Sequence, residues 1–223
     1  MVELIEGLSV ERVTANLEAV KAEVARAASL SGRNPADVEI LAATKYVPRE
    51  ELPVLAAAGI GLVGENRAQD LCEKVAIHGA LFTWDFIGRL QSKHVKAIVP
   101  HVRYIHSLAS DSALEALERH ADRANSGLKA LVEVNLARDP TKAGVAPERL
   151  KEFIERSPVP VAGLMTMPPR AEDPEQSRPW FRRLRELALT HGLEELSMGT
   201  TQDFAVAVQE GATIVRVGSR LYA

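Results

Sequence analysis

Apolar residues recur at three- and four-residue steps through Val10, Val13, Leu17, Val20, Val24 and Ala27, with Glu11, Arg12, Glu18, Lys21, Glu23 and Arg26 filling the other positions. This spacing predicts a long amphipathic helix whose one apolar face lies on a body built by the rest of the chain. Ser9 offers its N-cap, and Ser31-Gly32 followed by Pro35 offers its stop. Beyond it the pattern alternates. Strand-like apolar runs fall at residues 39–44, 62–63, 83–87, 104–107, 128–135, 159–164, 195–198 and 213–217. Helical segments lie between them at 49–57, 68–78, 92–99, 110–124, 147–156, 175–191 and 202–210. Several runs are apolar throughout, as strands covered on both sides are. Eight βα units without a strand-only stretch predict an α/β fold: a single (β/α)8 barrel of the TIM type with an extra N-terminal helix.

Length agrees, because 223 residues suit one such barrel and no linker divides them; residues 1–223 are expected to form one domain. Pro168-Pro169 with residues 170–173 is the longest non-periodic stretch and fits a βα loop. Apolar residues are 46% and charged residues 26% of the chain, the balance of a globular protein with a core. A net charge of −3 with only 4% aromatics gives no electrostatic case for nucleic acid or anionic membrane. Cys72 is the only cysteine, which excludes an internal disulfide and a cysteine metal cluster. The acidic start, Met1 to Glu6, lacks the layout of a signal peptide, and no apolar run approaches the roughly 20 residues of a membrane span. The expected location is the cytoplasm.

Candidate chemistry collects where each predicted strand ends, the side on which barrels of this kind carry their sites. The first run ends at Lys45, read as the last residue of a buried strand. An ammonium there needs either a carboxylate or a reason to be neutral, and a covalent aldehyde ligand is such a reason. The second run leads into Gly64-Glu65-Asn66, the third into Gly88 to Ser92, and the sixth into Met165-Thr166-Met167. The seventh ends in Ser197-Met198-Gly199-Thr200-Thr201 and the eighth in Arg216-Val217-Gly218-Ser219. Thr200 or Thr201 reads as a plain N-cap, yet hydroxyls at a helix start together with Gly218-Ser219 also suit a phosphate. Arg216 reads equally as half of a barrel salt bridge, to Glu133 or Glu194, and as a cation facing a ligand. Glu65 and Asp85 read as ion-pair partners before acid–base groups. The six histidines show no metal-ligand spacing. The arginines at 178, 182, 183 and 185 read as a solvated helix face.

With these blocks in order, the chain resembles the pyridoxal 5′-phosphate homeostasis proteins, which look like the N-terminal barrel of fold-type III alanine racemases. The resemblance rests on Ala43-Thr44-Lys45, Gly64-Glu65-Asn66, Phe86-Ile87-Gly88 with Leu90-Gln91-Ser92, Ile105-His106-Ser107, Val134-Asn135 with Lys142-Ala143-Gly144, Gly163 to Met167, Leu196 to Gly199, and Arg216-Val217-Gly218. It implies pyridoxal 5′-phosphate as cofactor and Lys45 as the Schiff-base lysine. Asn66 would lie on the 3-hydroxyl side of the ring and Met165 near the ring. Ser197, Gly199, Thr201, Gly218 and Ser219 would make cofactor contacts, the last three at the phosphate. Arg216 would pair with the pyridine nitrogen, where a permanent cation weakens the ring as an electron sink. Three departures stand out: Thr200-Thr201 replaces the family's Met-Ser, Asp85 replaces its histidine, and its Gln-Ser-Asn-Lys run reads Gln91-Ser92-Lys93-His94.

The resemblance therefore implies a carrier in intracellular cofactor homeostasis, buffering or delivering the cofactor without turnover, rather than an enzyme. Its expected partners are the cofactor and the apoenzymes that use it, and the expected state is a monomer. The alternative is a racemase or decarboxylase of fold type III. Such enzymes draw part of their site from a second β-rich domain, and this chain ends at Ala223, a few residues past the eighth strand. A Schiff-base lyase acting on a sugar-phosphate carbonyl through Lys45 is a third, more distant reading.

Overall fold

The first helix forms where the periodicity places it. The computed structural model describes residues 4–223, and in it α1 runs over Val10–Leu30. The Ser9 hydroxyl accepts from the Arg12 amide at 3.2 Å, and Gly32 turns the chain out with φ +68°. Its buried face is Val13, Leu17, Val20, Val24, Ala27 and Ala28. Then β1 (Glu39–Ala43), α2 (Leu52–Ala57), β2 (Leu62–Glu65), α3 (Ala68–His78), β3 (Thr83–Phe86), α4 (Val95–Ile98), β4 (Tyr104–Leu108), α5 (Asp111–Arg119) and β5 (Lys129–Glu133) alternate. The chain continues through α6 (Leu150–Glu155), β6 (Val161–Met165), α7 (Arg178–Thr190), β7 (Glu195–Thr200), α8 (Phe204–Gln209), β8 (Ile214–Val217) and α9 (Ser219–Tyr222). All neighbouring strands pair in parallel, and the sheet closes in the order β1 to β8. The last pairing sets Leu41 opposite Arg216 and Ala42 opposite Val217. The fold is the (β/α)8 barrel that the alternation predicts.

The differences are local. The run at 62–63 extends to Glu65, because Gly64 is a strand residue and not the start of a loop. A Cβ at Gly64 would lie 2.5 Å from Leu41 Cδ2, so a side chain there would displace Leu41 in the barrel interior. The helix expected over 110–124 stops at Arg119 and continues as a single 3-10 turn, Ala121–Arg123. Strand β1 ends at Ala43, so Lys45 lies beyond the sheet and is exposed. The expensive buried cation is a different residue, Lys74 on α3, 5% exposed. Its Nζ donates to Glu65 Oε1 at 2.5 Å and to the Thr44 carbonyl at 2.9 Å, while the Thr44 hydroxyl donates to the same carboxylate oxygen at 2.6 Å. These bonds pin the end of β1 to β2 and α3. The arginines of α7 are not a free face either: Arg178, Arg182 and Arg185 converge on the buried carboxylate of Glu210.

Inside the barrel, Leu41, Tyr104, Leu131, Met165 and Ile214 form an apolar layer. Polar groups share the interior. Asp85 on β3, fully buried, accepts from Arg103 Nε at 3.2 Å and Nη2 at 2.8 Å and from the Tyr104 amide at 3.0 Å. Fully buried His106 on β4 reaches Asp85 through Nε2 at 3.1 Å. Burial alone pushes the Asp85 carboxyl up, but hydrogen bonds from His106 and Arg103 outweigh it and hold the group below the ordinary carboxylate value. Burial holds His106 below the ordinary histidine value, against the pull of Asp85 and with the push of Arg216 and Arg103.

Two measurable consequences follow from this interior. Lys74→Ala strands the Glu65 carboxylate with no cation and is expected to cost about 3–5 kcal/mol in urea unfolding, with Lys74→Met/Glu65→Gln costing clearly less. Equal losses for the two variants would show that the pair is not what holds this corner. The pH response has a definite sign. Both Asp85 and His106 have depressed folded values, so their stabilisation is present above the unfolded values and is lost on acidification. Stability should fall as pH drops below the ordinary histidine value of 6.5 and fall further below the ordinary aspartate value of 3.8. His106→Gln should flatten the first part of that slope, as read by thermal unfolding across pH.

Candidate functional site

The C-terminal ends of β1, β2, β7 and β8 surround a cavity of about 560 Å³. Lys45, Asn66, Thr201, Arg216, Gly218 and Ser219 all line it, joined by Tyr46, Met167 and Tyr222. Six positions far apart in sequence meet there because closure of the barrel makes the first and last strands neighbours. A larger cleft of about 700 Å³ lies at the other end of the strands, beside Leu17, Ile60 and Leu62. It is lined mostly by apolar groups and gathers none of these polar residues.

Lys45 follows a tightly held corner. The Thr44 amide donates to the Gly64 carbonyl at 3.1 Å and the Val47 amide to the Thr44 carbonyl at 2.9 Å, so the backbone on either side is fixed. The side chain is free to reach the cavity, with Nζ 4.6 Å from the centroid of the Tyr46 ring. Asn66 comes next along the rim. Its Oδ1 is buried and has no hydrogen-bond partner among the described residues. A buried amide oxygen without a partner is costly, and a ligand hydroxyl would relieve it. Gly88 makes room at this place, since a Cβ there would sit 1.9 Å from the Asn66 carbonyl oxygen.

Across the cavity, the Thr201 hydroxyl accepts from the Gly218 amide at 3.1 Å and keeps its own O–H to donate. The amides of Ser219 and Arg220 open the first turn of α9, where no preceding carbonyl of the helix takes them. Thr200 is not the N-cap acceptor that the sequence suggests. Its amide and hydroxyl both donate to Asp203 Oδ1, at 2.7 and 3.1 Å, so the carboxylate holds the loop and Thr201 is left for the cavity.

Arg216 is 7% exposed and takes neither Glu133 nor Glu194 as an ion-pair partner. Nη1 donates to the carbonyl and hydroxyl of Ser197, at 2.9 and 2.5 Å. Nη2 donates to the Thr166 carbonyl at 3.1 Å and to Met167 Sδ at 2.9 Å. Glu133 and Asp203 act on it only through space, and burial pushes its pKa down to about 10, so it remains a cation near neutral pH. Four of its five N–H bonds are thus used; Nε–H pairs with none of the described residues.

The other three expected residues stand one layer down. Met165 is 3% exposed in the apolar interior layer, and Met167, two residues on and half exposed, lines the cavity in its place. Ser197 is fully buried and touches Arg216 rather than the open space. Gly199, at φ +87°, packs under α8, where a Cβ would lie 2.5 Å from that of Ala207. Sequence reasoning assigns no role to Lys74, Tyr222 or His106. For His106 a signal existed: it is two residues from Tyr104 on one strand, so the two share the interior face. Among the described residues, no group of three or more side chains is placed to hold a metal ion.

Comparison with known proteins places the chain in a family. The family model for the alanine racemase N-terminal domain matches residues 15–223. A pyridoxal phosphate homeostasis protein of Aquifex aeolicus is 40% identical, over 95% of this chain and 96% of its own length. One from Pseudomonas aeruginosa is 34% identical over 94% of each chain. Among solved structures, PipY of Synechococcus elongatus with PLP bound superposes with a TM-score of 0.75 at 33% identity, over 90% of this chain and all of that one. An alanine racemase of Clostridium difficile, at 11% identity and a TM-score of 0.70, shares the fold, this chain covering 57% of it. The chain belongs to the alanine racemase N-terminal domain family and, within it, to the pyridoxal phosphate homeostasis proteins.

Proposed function

We propose that this protein binds pyridoxal 5′-phosphate covalently on Lys45 and serves its homeostasis as a carrier, without catalytic turnover. The observation that carries the reading is one cavity holding a reachable amine at one side and, at the other, a buried guanidinium with no carboxylate partner. The residues present fit the group. Lys45 would supply the amine that holds the cofactor's aldehyde carbon, with the carbonyl oxygen leaving as water. Asn66 Oδ1 lacks a partner and would accept from the ring hydroxyl. Thr201, Gly218 and Ser219 offer a hydroxyl and backbone amides to the phosphate. Arg216 keeps one N–H for the ring nitrogen.

The cofactor, when bound, supplies an electrophilic carbonyl and, with a protonated ring, an electron sink. Arg216 works against the second property. It has no acceptor and remains charged, so beside the ring nitrogen it would disfavour protonation of the ring. Burial pushes the Tyr222 hydroxyl well above the ordinary tyrosine value, so this neighbour does not serve as a base near neutral pH. Retention therefore fits the site better than carbanion chemistry. The likeness to alanine racemase and to the decarboxylases, at 11–16% identity, concerns the fold alone.

The same reading makes residues 1–223 one binding domain, working as a monomer in the cytoplasm and handing cofactor to apoenzymes that need it. Among the described residues, no helix is long and apolar enough to cross a membrane.

Purified protein mixed with pyridoxal 5′-phosphate is expected to develop a visible absorbance band that borohydride bleaches, leaving the label on Lys45 in peptide maps. Lys45→Ala should lose band and label together. A label elsewhere, or none, sinks the assignment, and robust interconversion of D- and L-alanine would replace the carrier with an enzyme. Arg216→Glu should still take the label but shift the pH response of the band toward a protonated ring; an unchanged response would remove Arg216 from the ring nitrogen.

A further inference from the structure

Ser197 and His106 join Arg216 to Asp85 across the inside of the barrel. Arg216 Nη1 meets Ser197 Oγ at 2.5 Å, Ser197 Oγ meets His106 Nδ1 at 2.8 Å, and His106 Nε2 meets Asp85 Oδ2 at 3.1 Å. The four residues come from β8, β7, β4 and β3, and Ser197, His106 and Asp85 are fully buried. A barrel interior is ordinarily filled by branched apolar side chains, and its other members here, Leu41, Tyr104, Leu131, Met165 and Ile214, form an apolar cluster. A polar chain in that place is tolerated only where each donor meets an acceptor.

Here the ends dictate every direction. A guanidinium has no lone pair to offer, so Arg216 donates to Ser197. Asp85 already accepts three N–H bonds from Arg103 and the Tyr104 amide, so as a carboxylate it accepts from His106 Nε2–H as well. With the proton on Nε2, Nδ1 is the acceptor, and the Ser197 hydroxyl donates to it. One tautomer and one rotor satisfy the whole chain. Either the wrong tautomer or a missing member leaves a buried group unpaired.

We propose that Asp85, His106 and Ser197 are positioning residues for Arg216, holding its guanidinium in the one orientation that presents the free Nε–H to the cavity. The proposal rests on the reading of Lys45 and Arg216 as cofactor ligands. An acidic partner would hold the arginine as firmly but cancel its charge at the ring. The chain holds it by a hydroxyl and carbonyls instead, and places the nearest hydrogen-bonded carboxylate three links away. Other charges facing this system are Arg103 with Glu39 at the far end of the chain, and Glu133 and Asp203 acting on Arg216 through space. None of them interrupts the chain.

His106→Leu removes both polar atoms of the ring, His106→Gln keeps one acceptor and one donor, and Ser197→Ala breaks the chain with the loss of a single oxygen. Each is compared with the wild type by thermal unfolding, by titration with pyridoxal 5′-phosphate, and by the pH midpoint of the bound cofactor's visible band. The leucine and alanine variants are expected to weaken binding about tenfold and raise the midpoint by about one pH unit. The glutamine variant should stay within about twofold of the wild type. Folded Ser197→Ala with the wild-type midpoint would overturn the positioning role even if its stability fell, since packing alone does not move the titration of the ring. A wild-type protein whose Lys45 takes no label would instead overturn the underlying cofactor reading.

Discussion

The parallel pairing of β1 with β8 is the constraint on which the rest depends. It turns an open sheet with two unpaired edges into a closed barrel, so that interior strands have no exposed row of amides. It also sets the register. With Leu41 opposite Arg216 and Ala42 opposite Val217, the chain that leaves β1 toward Lys45 emerges beside the chain that leaves β8 toward Gly218. Lys45 and Gly218, separated by more than 170 residues, then share one mouth. A slip of one residue would turn Arg216 out of the barrel and remove the cation from the cavity.

Around that closure the structure handles charge in two different ways. Lys74 and Glu65 are compensated at short range: Glu65 Oε1 accepts from Lys74 and from the Thr44 hydroxyl while Oε2 has no partner among the described residues, and these bonds tie down the corner that carries Lys45. Arg216 is hydrogen-bonded by neutral groups only, with Glu133 and Asp203 acting through space, and it keeps its charge. The first arrangement gives rigidity beneath the site, and the second gives it electrostatic character. Glu210, gathered by three arginines where α7 meets α8, is another compensated group and lies outside the cavity.

Much of the fold was legible because burial imposes periods on sequence. The α1 stripe from Val10 to Ala27 and the eight apolar runs follow directly from which faces meet water. The errors fell where that signal is silent. Gly64 carries no side chain to show a period, so β2 seemed to end before it, and its role appears only against Leu41. Lys45 was misjudged as buried because a strand's last turn looks the same in sequence whether it ends at residue 43 or 45. Six of the nine expected site residues line the cavity, and the three that do not, Met165, Ser197 and Gly199, sit one layer below on β6 and β7. Motif position indicates which strand ends face this cavity; depth along a strand depends on barrel stagger, which no local pattern encodes.

By itself the sequence determined the class of fold, the side of the barrel on which polar groups collect, and the kind of chemistry they suit. These follow from local residue type and spacing. Only the tertiary structure decided which charges are paired. It gave Lys74 rather than Lys45 the buried carboxylate, left Arg216 without one, and joined Arg216 to Asp85 through Ser197 and His106. The physical reason is that pairing across a barrel is set by strand register and interior stagger, which bring together atoms from β3, β4, β7 and β8 that are up to 131 residues apart.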